Sequence, residues 1–268
     1  MKKILLLFAA MTAGICAMQA QTTFSLHFGG IMPVGEFAES DMDDEEWILI
    51  NDDEKVGGAG VGIDLGMQWK FGIQSVNGLG IILSVDGMVN RLNSDINEWM
   101  EDYIDDAEDE YDDFELKTPK YFNFPVLVGV NYTHALNENI GLFGEAAMGF
   151  NIRKITKLYE HYEMDDSYTY YNGYSYSTIE YTYKRTYTYN YDMNSTFAFR
   201  IGGGLVFNNR FTLGLSYWNL GSARIKGKYE SERTSYNGDA VVTTKDKDKF
   251  KLKSLTPTMV MLRFGISF

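Results

Sequence analysis

Alternation of apolar and polar residues runs through most of this sequence and predicts its strands. Between residues 60 and 71, six apolar side chains alternate with Gly, Asp, Gln and Lys. The six are Val61, Ile63, Leu65, Met67, Trp69 and Phe71. A period of two places them on one face of a β-strand, whereas a helix would scatter them. The same alternation recurs over 24–28, 79–89, 122–132, 140–152, 197–207, 211–217 and 258–268, so the sequence predicts eight strands.

The length of these segments and the pattern of their connections indicate a membrane barrel. Strands of soluble sandwiches usually have about five or six residues, whereas a tilted membrane strand needs about 9 to 11. Short connections at 74–78, 135–139 and 208–210 alternate with long polar ones. We therefore expect an all-β fold: an antiparallel, eight-stranded, up-and-down transmembrane β-barrel with long extracellular loops. Both termini would then be periplasmic, and the barrel would close because lipid offers no partner for unpaired backbone groups.

The first twenty residues have the three regions of a secretory signal. Lys2 and Lys3 precede an apolar run over 4–15, and small residues follow before Gln21. This arrangement predicts a signal peptide over 1–20 and a mature outer-membrane barrel domain over 21–268. Cys16 would leave with the leader, so disulfides, zinc thiolates and cysteine nucleophiles are excluded from the mature chain. Ile15 stands where a lipobox requires a small residue, which disfavours lipidation.

Charge excludes one large class of partner. The chain has 24 Lys and Arg against 37 Asp and Glu, a formal net charge of -13. Nucleic-acid grooves need clustered positive charge, so no nucleic-acid partner is expected.

Several short motifs resemble a known family. Gly29, Pro33, Gly35 and Phe37 follow a Gly-x-x-x-Pro-x-Gly-x-Phe pattern at the end of the first strand. The segment 121–129 places Pro125 before Val-Leu-Val, and the chain ends in the aromatic Phe268. With these motifs the chain resembles the PorT-like, OmpA/OmpX-type small outer-membrane barrels of Bacteroidetes. The resemblance covers the whole mature chain and implies architecture, while the long inserts after the third and fifth strands depart from the family.

Two Asn-Gly turns predict strand registers. Asn172-Gly173 favours a two-residue hairpin, in which residues equidistant from the turn face each other. The predicted pairs are Ile140 with Leu205, Phe150 with Ser195, Glu145 with Arg200, Arg153 with Asp192, and Glu160 with Arg185. Asn237-Gly238 likewise predicts Phe211 opposite Phe264 and Tyr217 opposite Thr258. The first register makes each strand about 30 residues long, far beyond the about 10 that cross a membrane, so the segment 156–192 should protrude as a hairpin.

Tyrosines cluster on the predicted outward face of this hairpin. Four of them are candidate surface-binding residues: Tyr181, Tyr183, Tyr187 and Tyr189. One interpretation is an aromatic girdle with cross-strand pairs that stiffen the ribbon. The other is an exposed ladder that binds glycan, lipopolysaccharide or another protein.

The opposite face of the barrel strands collects charges that would point into the lumen. These residues are Asp64, Lys70, Asp86, Glu145, Arg153, Arg200 and Arg263. A salt-bridge network that plugs a narrow barrel is one interpretation, and a catalytic or conduction path is the other.

The segment 95–115 carries twelve Asp and Glu and no Lys or Arg. Apolar residues at helical spacing, with Ser94 as a possible cap, predict an amphipathic helix in an external loop. The apolar positions are Ile96, Trp99, Tyr103, Ala107 and Tyr111. The helix could dock on the barrel rim or bind calcium, although neither this loop nor the segment 41–52 has the glycine that an EF-hand requires.

Catalytic chemistry has little support. Only His27, His134 and His161 are available, and no nucleophile elbow or phosphate loop occurs. We expect no enzyme activity, no cofactor and no metal, and a structural or cell-surface interaction role with a plugged lumen. The alternatives are a PorT-like component of a secretion apparatus and a narrow channel. Expected partners are outer-membrane lipid, the barrel-assembly machinery through the strand that ends in Phe268, and a glycan or protein at the external loops.

Overall fold

A computed structural model of the protein describes residues 22–39, 57–171, 173–237 and 240–268. The predicted signal peptide and the acidic segment 41–52 lie outside the described residues. Among the described residues there are thirteen strands, numbered β1 to β13 along the chain, and one α-helix, α1. No described helix has the length and hydropathy of a membrane-spanning helix.

Eight of the strands close into a barrel. They are β1 (Thr22–Val34), β2 (Ala59–Gly72), β3 (Leu79–Leu92), β5 (Tyr121–Ala135), β6 (Ile140–Ile155), β9 (Asn194–Phe207), β10 (Phe211–Asn219) and β13 (Thr258–Ser267). Each pairs in antiparallel fashion with its neighbour in the chain, and β1 closes the barrel on β13. The predicted fold class is confirmed.

The barrel is apolar outside and polar inside, because the strands alternate with a period of two. Ile63 and Leu65 of β2 are 68% and 70% exposed, while Asp64 between them is 4% exposed. This inversion of the usual burial pattern is what lipid requires of a transmembrane barrel.

The other five strands form a second sheet at one end of the barrel. They are β4 (Asp113–Lys117), β7 (Leu158–Tyr171), β8 (Tyr176–Tyr191), β11 (Ala223–Asn237) and β12 (Ala240–Leu255), in the order β12-β11-β8-β7-β4. The segment 156–192 is therefore the centre of a sheet rather than a lone ribbon. We call this end of the barrel the sheet end and the opposite end, with connections of three to six residues, the short-loop end.

The helix α1 (Ser94–Glu110) also lies at the sheet end. Its cap is Asn93 rather than Ser94: the Asn93 side-chain oxygen accepts a hydrogen bond from the Ile96 amide at 2.9 Å. The rest of the acidic segment continues into β4, which pairs with β7. That strand has only five residues, too few for its alternation to stand out in the sequence.

Both turn-derived registers are wrong by two residues. Across β6 and β9, Ile140 faces Phe207, Phe150 faces Phe197, Glu145 faces Gly202 and Arg153 faces Asn194, while Glu160 of β7 faces Tyr187 of β8. The reason is that β7 ends at Tyr171 and β8 begins at Tyr176, so four residues connect them instead of two. Asn172 itself lies outside the described residues.

The second hairpin has the same offset. β11 ends at Asn237 and β12 begins at Ala240, so the connecting pair is one position later than predicted. Phe211 consequently faces Ile266, and Tyr217 faces Val260. An offset of two leaves the side chains of the barrel strands on their predicted faces, because the side-chain period is also two.

The face that points outward changes between the barrel and the second sheet. In β6 the even-numbered residues face outward, as Ile152 does at 42% exposure, but in β7 the even-numbered Leu158 is 1% exposed. Residues 156–157 and 192–193 interrupt the strands at this level. The prediction that the tyrosines of β8 face outward is therefore wrong: their face is continuous with the face that lines the lumen, and Tyr191 is 2% exposed.

Closure can be tested by gel migration. We expect unheated protein to migrate differently from boiled protein, because a ladder without free edges resists detergent. A variant lacking 258–268 loses β13 and should migrate identically under both conditions. Heat-independent migration of the intact chain would contradict a closed barrel.

Candidate functional site

Five charged side chains meet inside the barrel, and we call them the lumen network: Asp64, Asp86, Glu145, Arg200 and Arg263. Arg263 contacts Asp64 at 3.1 Å and also donates a hydrogen bond to Asp86. Arg200 lies 3.7 Å from Asp86 and 3.0 Å from Glu145. Asp86 thus joins the two arginines into one chain of ion pairs that includes strands β2, β3, β6, β9 and β13.

Two residues that the sequence did not single out complete the lumen network. Gln68 accepts a hydrogen bond from Arg200 at 3.1 Å and donates one to Glu145 at 3.3 Å. The fully buried ring of Trp218 lies 4.8 Å from the Arg200 guanidinium and 5.3 Å from that of Arg263. Both guanidinium groups therefore pack on an aromatic ring as well as on carboxylates. Parity alone could have placed Gln68 and Trp218 in the lumen, but neither is ionisable.

Glu145 and Arg200 make their contact on the diagonal. The residue directly opposite Arg200 on β6 is Ala147, and the residue opposite Glu145 on β9 is Gly202. Diagonal neighbours in an antiparallel sheet are about 7 to 8 Å apart at the backbone, within reach of a long Arg side chain. The pair named from the incorrect register is therefore in contact for a different geometric reason.

Space around the lumen network depends on a glycine. A Cβ atom on Gly66 would lie 2.0 Å from Asp86 Oδ1 and 2.9 Å from Arg263 Nη2. Any larger residue at this position would displace the charged groups, so Gly66 has a packing role inside the lumen.

The other two predicted lumen charges lie apart from this network. Lys70 donates hydrogen bonds to Thr133 Oγ1 at 3.0 Å and to the Gly78 carbonyl at 3.3 Å, at the short-loop end. Arg153 is 1% exposed and donates to the carbonyls of Leu255 and Gly221, both at 3.1 Å, at the sheet end.

A cavity of about 1030 Å³ occupies the short-loop end of the barrel. Residues of three short connections line it, among them Asn77, Asn137 and Asn209, and so do Glu145 and Arg263 of the lumen network. The lumen is therefore open on this side as far as the lumen network.

The four candidate tyrosines of β8 are half-buried and engaged within the second sheet. Tyr181 donates a hydrogen bond to Asp166 at 2.5 Å, and Arg233 lies 4.9 Å from the ring of Tyr183. The rings of Tyr187 and Tyr189 lie 6.0 and 4.9 Å from that of Tyr229. These contacts favour the interpretation of cross-strand stiffening over that of a free ligand-binding ladder.

Helix α1 covers part of this aromatic face. The Tyr103 hydroxyl donates to Glu160 at 3.0 Å, and Tyr111 packs 4.6 Å from Tyr162. Burial, followed by the neighbouring Glu160 carboxylate, raises the pKa of Tyr103, and burial raises the pKa of Glu160. This hydrogen bond and the ring contact hold the helix against the sheet, while its acidic residues face solvent.

The described residues contain one group of possible metal ligands, which sequence spacing does not reveal: Asp113, His161 and Glu163. Pairing of β4 with β7 brings them together on the outward face of the second sheet. Glu163 is ion-paired with Lys184, and His161 Nδ1 is hydrogen-bonded to Thr186 at 2.9 Å, so contacts within the sheet already use two of the three.

The closed strand order, apolar exterior and charged interior define the class: an eight-stranded transmembrane β-barrel. Neither a protein-family model nor a curated protein matches the chain. Several solved structures match the chain. Ail of Yersinia pestis matches at 12% identity and a TM-score of 0.31, and the match covers 94% of this chain and 100% of Ail. OprG of Pseudomonas aeruginosa matches at 13% identity and a TM-score of 0.39, and the match covers 93% of this chain and 96% of OprG. The resemblance to PorT-like barrels stays a prediction.

The lumen network can be tested by removing one guanidinium. Arg200→Met should lower the free energy of unfolding by about 3 to 5 kcal/mol, because Glu145 would be left buried without its ion-pair partner. The double variant Arg200→Met/Glu145→Met should recover much of this loss. Urea unfolding in detergent micelles measures both, with the exposed Arg210→Met as the control. Equal stability of the Arg200 and Arg210 variants would contradict the importance of the lumen network.

The role of the tyrosine face can be tested at Tyr189. Tyr189→Ser should destabilise the second sheet by about 2 kcal/mol, less than for a fully buried ring, because contacts with Tyr229 and Phe250 are lost. Hydrogen exchange of β8 and β11 amides measures the change. Thr188→Ser, on the opposite face of the same strand, should leave exchange unaltered. If Tyr189→Ser left hydrogen exchange unchanged, the result would instead support a free binding surface.

Proposed function

We propose that this protein is a non-catalytic outer-membrane barrel that anchors a folded interaction module at the cell surface. The observation that carries the proposal is the second sheet: five paired strands and a docked helix stand where simple loops would suffice to connect the barrel. Such a module holds a surface in a defined orientation, which a recognition role needs and mere membrane anchoring does not.

The proposed orientation follows from the two ends of the barrel. The short-loop end contains both ends of the described barrel, where Phe24 and Phe268 exchange backbone hydrogen bonds. In outer-membrane barrels the short turns are periplasmic and the longer loops extracellular. The second sheet would then be extracellular, and the strand that ends in Phe268 would be available to the barrel-assembly machinery from the periplasm.

We infer that the lumen does not conduct. The lumen network lies across the barrel with its arginines packed on Trp218, which supports a plug rather than a path. Ions that enter the cavity at the short-loop end would meet paired charges instead of free ones.

The tip of the second sheet supports the interaction role. Tyr171, Tyr174 and Tyr176 are 60%, 96% and 78% exposed, and the rings of Tyr171 and Tyr176 lie 5.1 Å apart. Val241 and Val242 of β12 are also exposed. Exposed aromatic rings with polar tips suit a glycan or protein partner, so this tip replaces the half-buried ladder as the candidate contact surface.

Conductance in planar bilayers tests the plug. The intact protein should show no conductance above that of the lipid, whereas Glu145→Ala/Arg200→Ala should open a measurable path. Steady conductance of the intact protein would favour the narrow-channel alternative.

Co-purification from native membranes tests the surface role. We expect a partner protein or glycan to be retained by the intact chain and lost from Tyr171→Ser/Tyr174→Ser/Tyr176→Ser. The control Thr182→Ser/Thr188→Ser alters two positions of β8 that lie away from the tip. A subunit complex that survives the tip variant would favour the secretion-apparatus alternative, and no bound partner in either case would leave only the structural role.

A further inference from the structure

Positive charge is concentrated at one level of this acidic chain. On the outward face of β11 and β12, every second residue near the barrel is basic and exposed, and the residues between them are buried or half-buried. Four of these bases lie in facing positions of the two strands: Lys226 and Lys228 on β11, and Lys249 and Lys251 on β12. They follow directly on the sheet end of the barrel, because β10 precedes β11 and β13 follows β12.

These lysines are paired with each other. Lys228 lies directly opposite Lys249, and Lys226 lies opposite Lys251. Like charges at facing positions of an antiparallel pair are destabilising. Further from the barrel the same two strands pair Glu230 with Lys247 at 3.0 Å.

The next facing pair is also complementary, with Glu232 at 2.7 Å from Lys245. Acidic partners are thus present at the two distal positions and absent at the two positions next to the barrel. The Asp192 amide donates a hydrogen bond to the Lys226 carbonyl at 2.8 Å, so one acidic residue is a backbone neighbour of this lysine. The local excess of positive charge remains, and an external anion would relieve it.

A second observation concerns the barrel wall at the sheet end. A shallow groove of about 270 Å³ is lined by apolar side chains of β2 and β3, among them Val61, Ile63 and Val89, and by Arg91 and Lys120. Val61 and Ile63 face the lipid, and Val61 is 58% exposed. Arg91 and Lys120 lie where β3 ends and β5 begins, at the sheet end of the groove. An apolar wall below two cations fits an acyl chain with an anionic headgroup.

We propose that these six bases, the basic belt, bind the phosphate groups of glycolipid in the outer leaflet, with one acyl chain in the groove below Arg91 and Lys120. The proposal rests on the proposed orientation, which makes the sheet end extracellular. Guanidinium groups bind phosphate in bidentate geometry, and lysines bind it as point charges. The lysines continue β10 and β13 whereas the groove lies on β2 and β3, so separate glycolipid molecules would occupy the two places: phosphate groups match the lysines, and an acyl chain matches the groove.

Binding is tested with the full mature chain in detergent and two probes: lipopolysaccharide and the same lipopolysaccharide after enzymatic dephosphorylation. The intact protein should bind the phosphorylated probe at least tenfold more tightly. Lys226→Gln/Lys228→Gln/Lys249→Gln/Lys251→Gln should remove that preference, since each base near an anionic surface contributes about fivefold. Arg91→Gln/Lys120→Gln should weaken binding of the phosphorylated probe and leave binding of the dephosphorylated probe unchanged.

The matched control is Lys245→Gln/Lys247→Gln, which removes two lysines that already have carboxylate partners on the same strands. It should keep the tenfold preference. Inorganic phosphate at millimolar concentration distinguishes a site for free phosphate from a site for lipid-bound phosphate. If inorganic phosphate alone displaced the lipopolysaccharide, the site would be one for free anions, and the lipid assignment would be overturned. Equal binding of both probes by the intact chain would overturn the proposal as a whole.

Thermal unfolding without glycolipid gives an independent readout. The quadruple Gln variant should melt at a higher temperature than the intact protein, because it removes two like-charge pairs, and added lipopolysaccharide should raise only the melting temperature of the intact protein. A lower melting temperature of the variant would mean that the lysines stabilise the fold and would overturn the proposal. Membrane fractionation keeps the two proposals distinct: a protein found in the outer membrane that fails the binding test refutes the basic belt alone.

Discussion

Backbone hydrogen bonding in lipid is the constraint on which the rest of this structure depends. A strand in hydrocarbon has no water to satisfy its amide and carbonyl groups, so every strand needs two neighbours and the sheet must close. Pairing of β1 with β13 provides that closure. Closure in turn dictates the alternation of side chains, because one face of each strand meets lipid and the other meets the lumen.

The lumen network is a consequence of that inversion. An eight-stranded barrel has an interior just wide enough for side chains, and polar residues that enter it must find partners there. Arg200 and Arg263 satisfy their charges with three carboxylates, Gln68 and the face of Trp218. Gly66 leaves the room that this cluster needs. The same condition explains why the lumen network lies beyond the cavity of about 1030 Å³ rather than in the open end of the barrel.

At the sheet end the constraint is lifted, and the chain returns to ordinary burial. Beyond residues 156–157 and 192–193, apolar and aromatic side chains such as Leu158 and Tyr191 turn inward, as water favours. Leu158 and Tyr191 join the same apolar core as Trp218, so the second sheet is packed onto the barrel rather than loosely attached. The lysines next to this transition are the exception, since Lys228 and Lys249 repel each other unless an anion lies between or beside them.

The sequence by itself determined the eight barrel strands, their order and the face on which each side chain lies. That was possible because a period of two is a local property, visible in any run such as 61–71, and because membrane strands are long enough to repeat it. The same local pattern placed Asp64, Glu145 and Arg200 on one side of the wall.

Register, contacts and the second sheet were decided only by the tertiary structure. Register depends on how many residues form a turn. Four residues rather than two separate Tyr171 from Tyr176, and the alternation of apolar and polar residues does not reveal that number. The contact of Glu145 with Arg200 depends on side-chain reach along a diagonal, and that of Arg263 with Asp64 depends on which strands closure brings together. The inward turn of Tyr187 and Tyr189 depends on breaks between strands, where a single irregular step reverses the faces of every residue that follows.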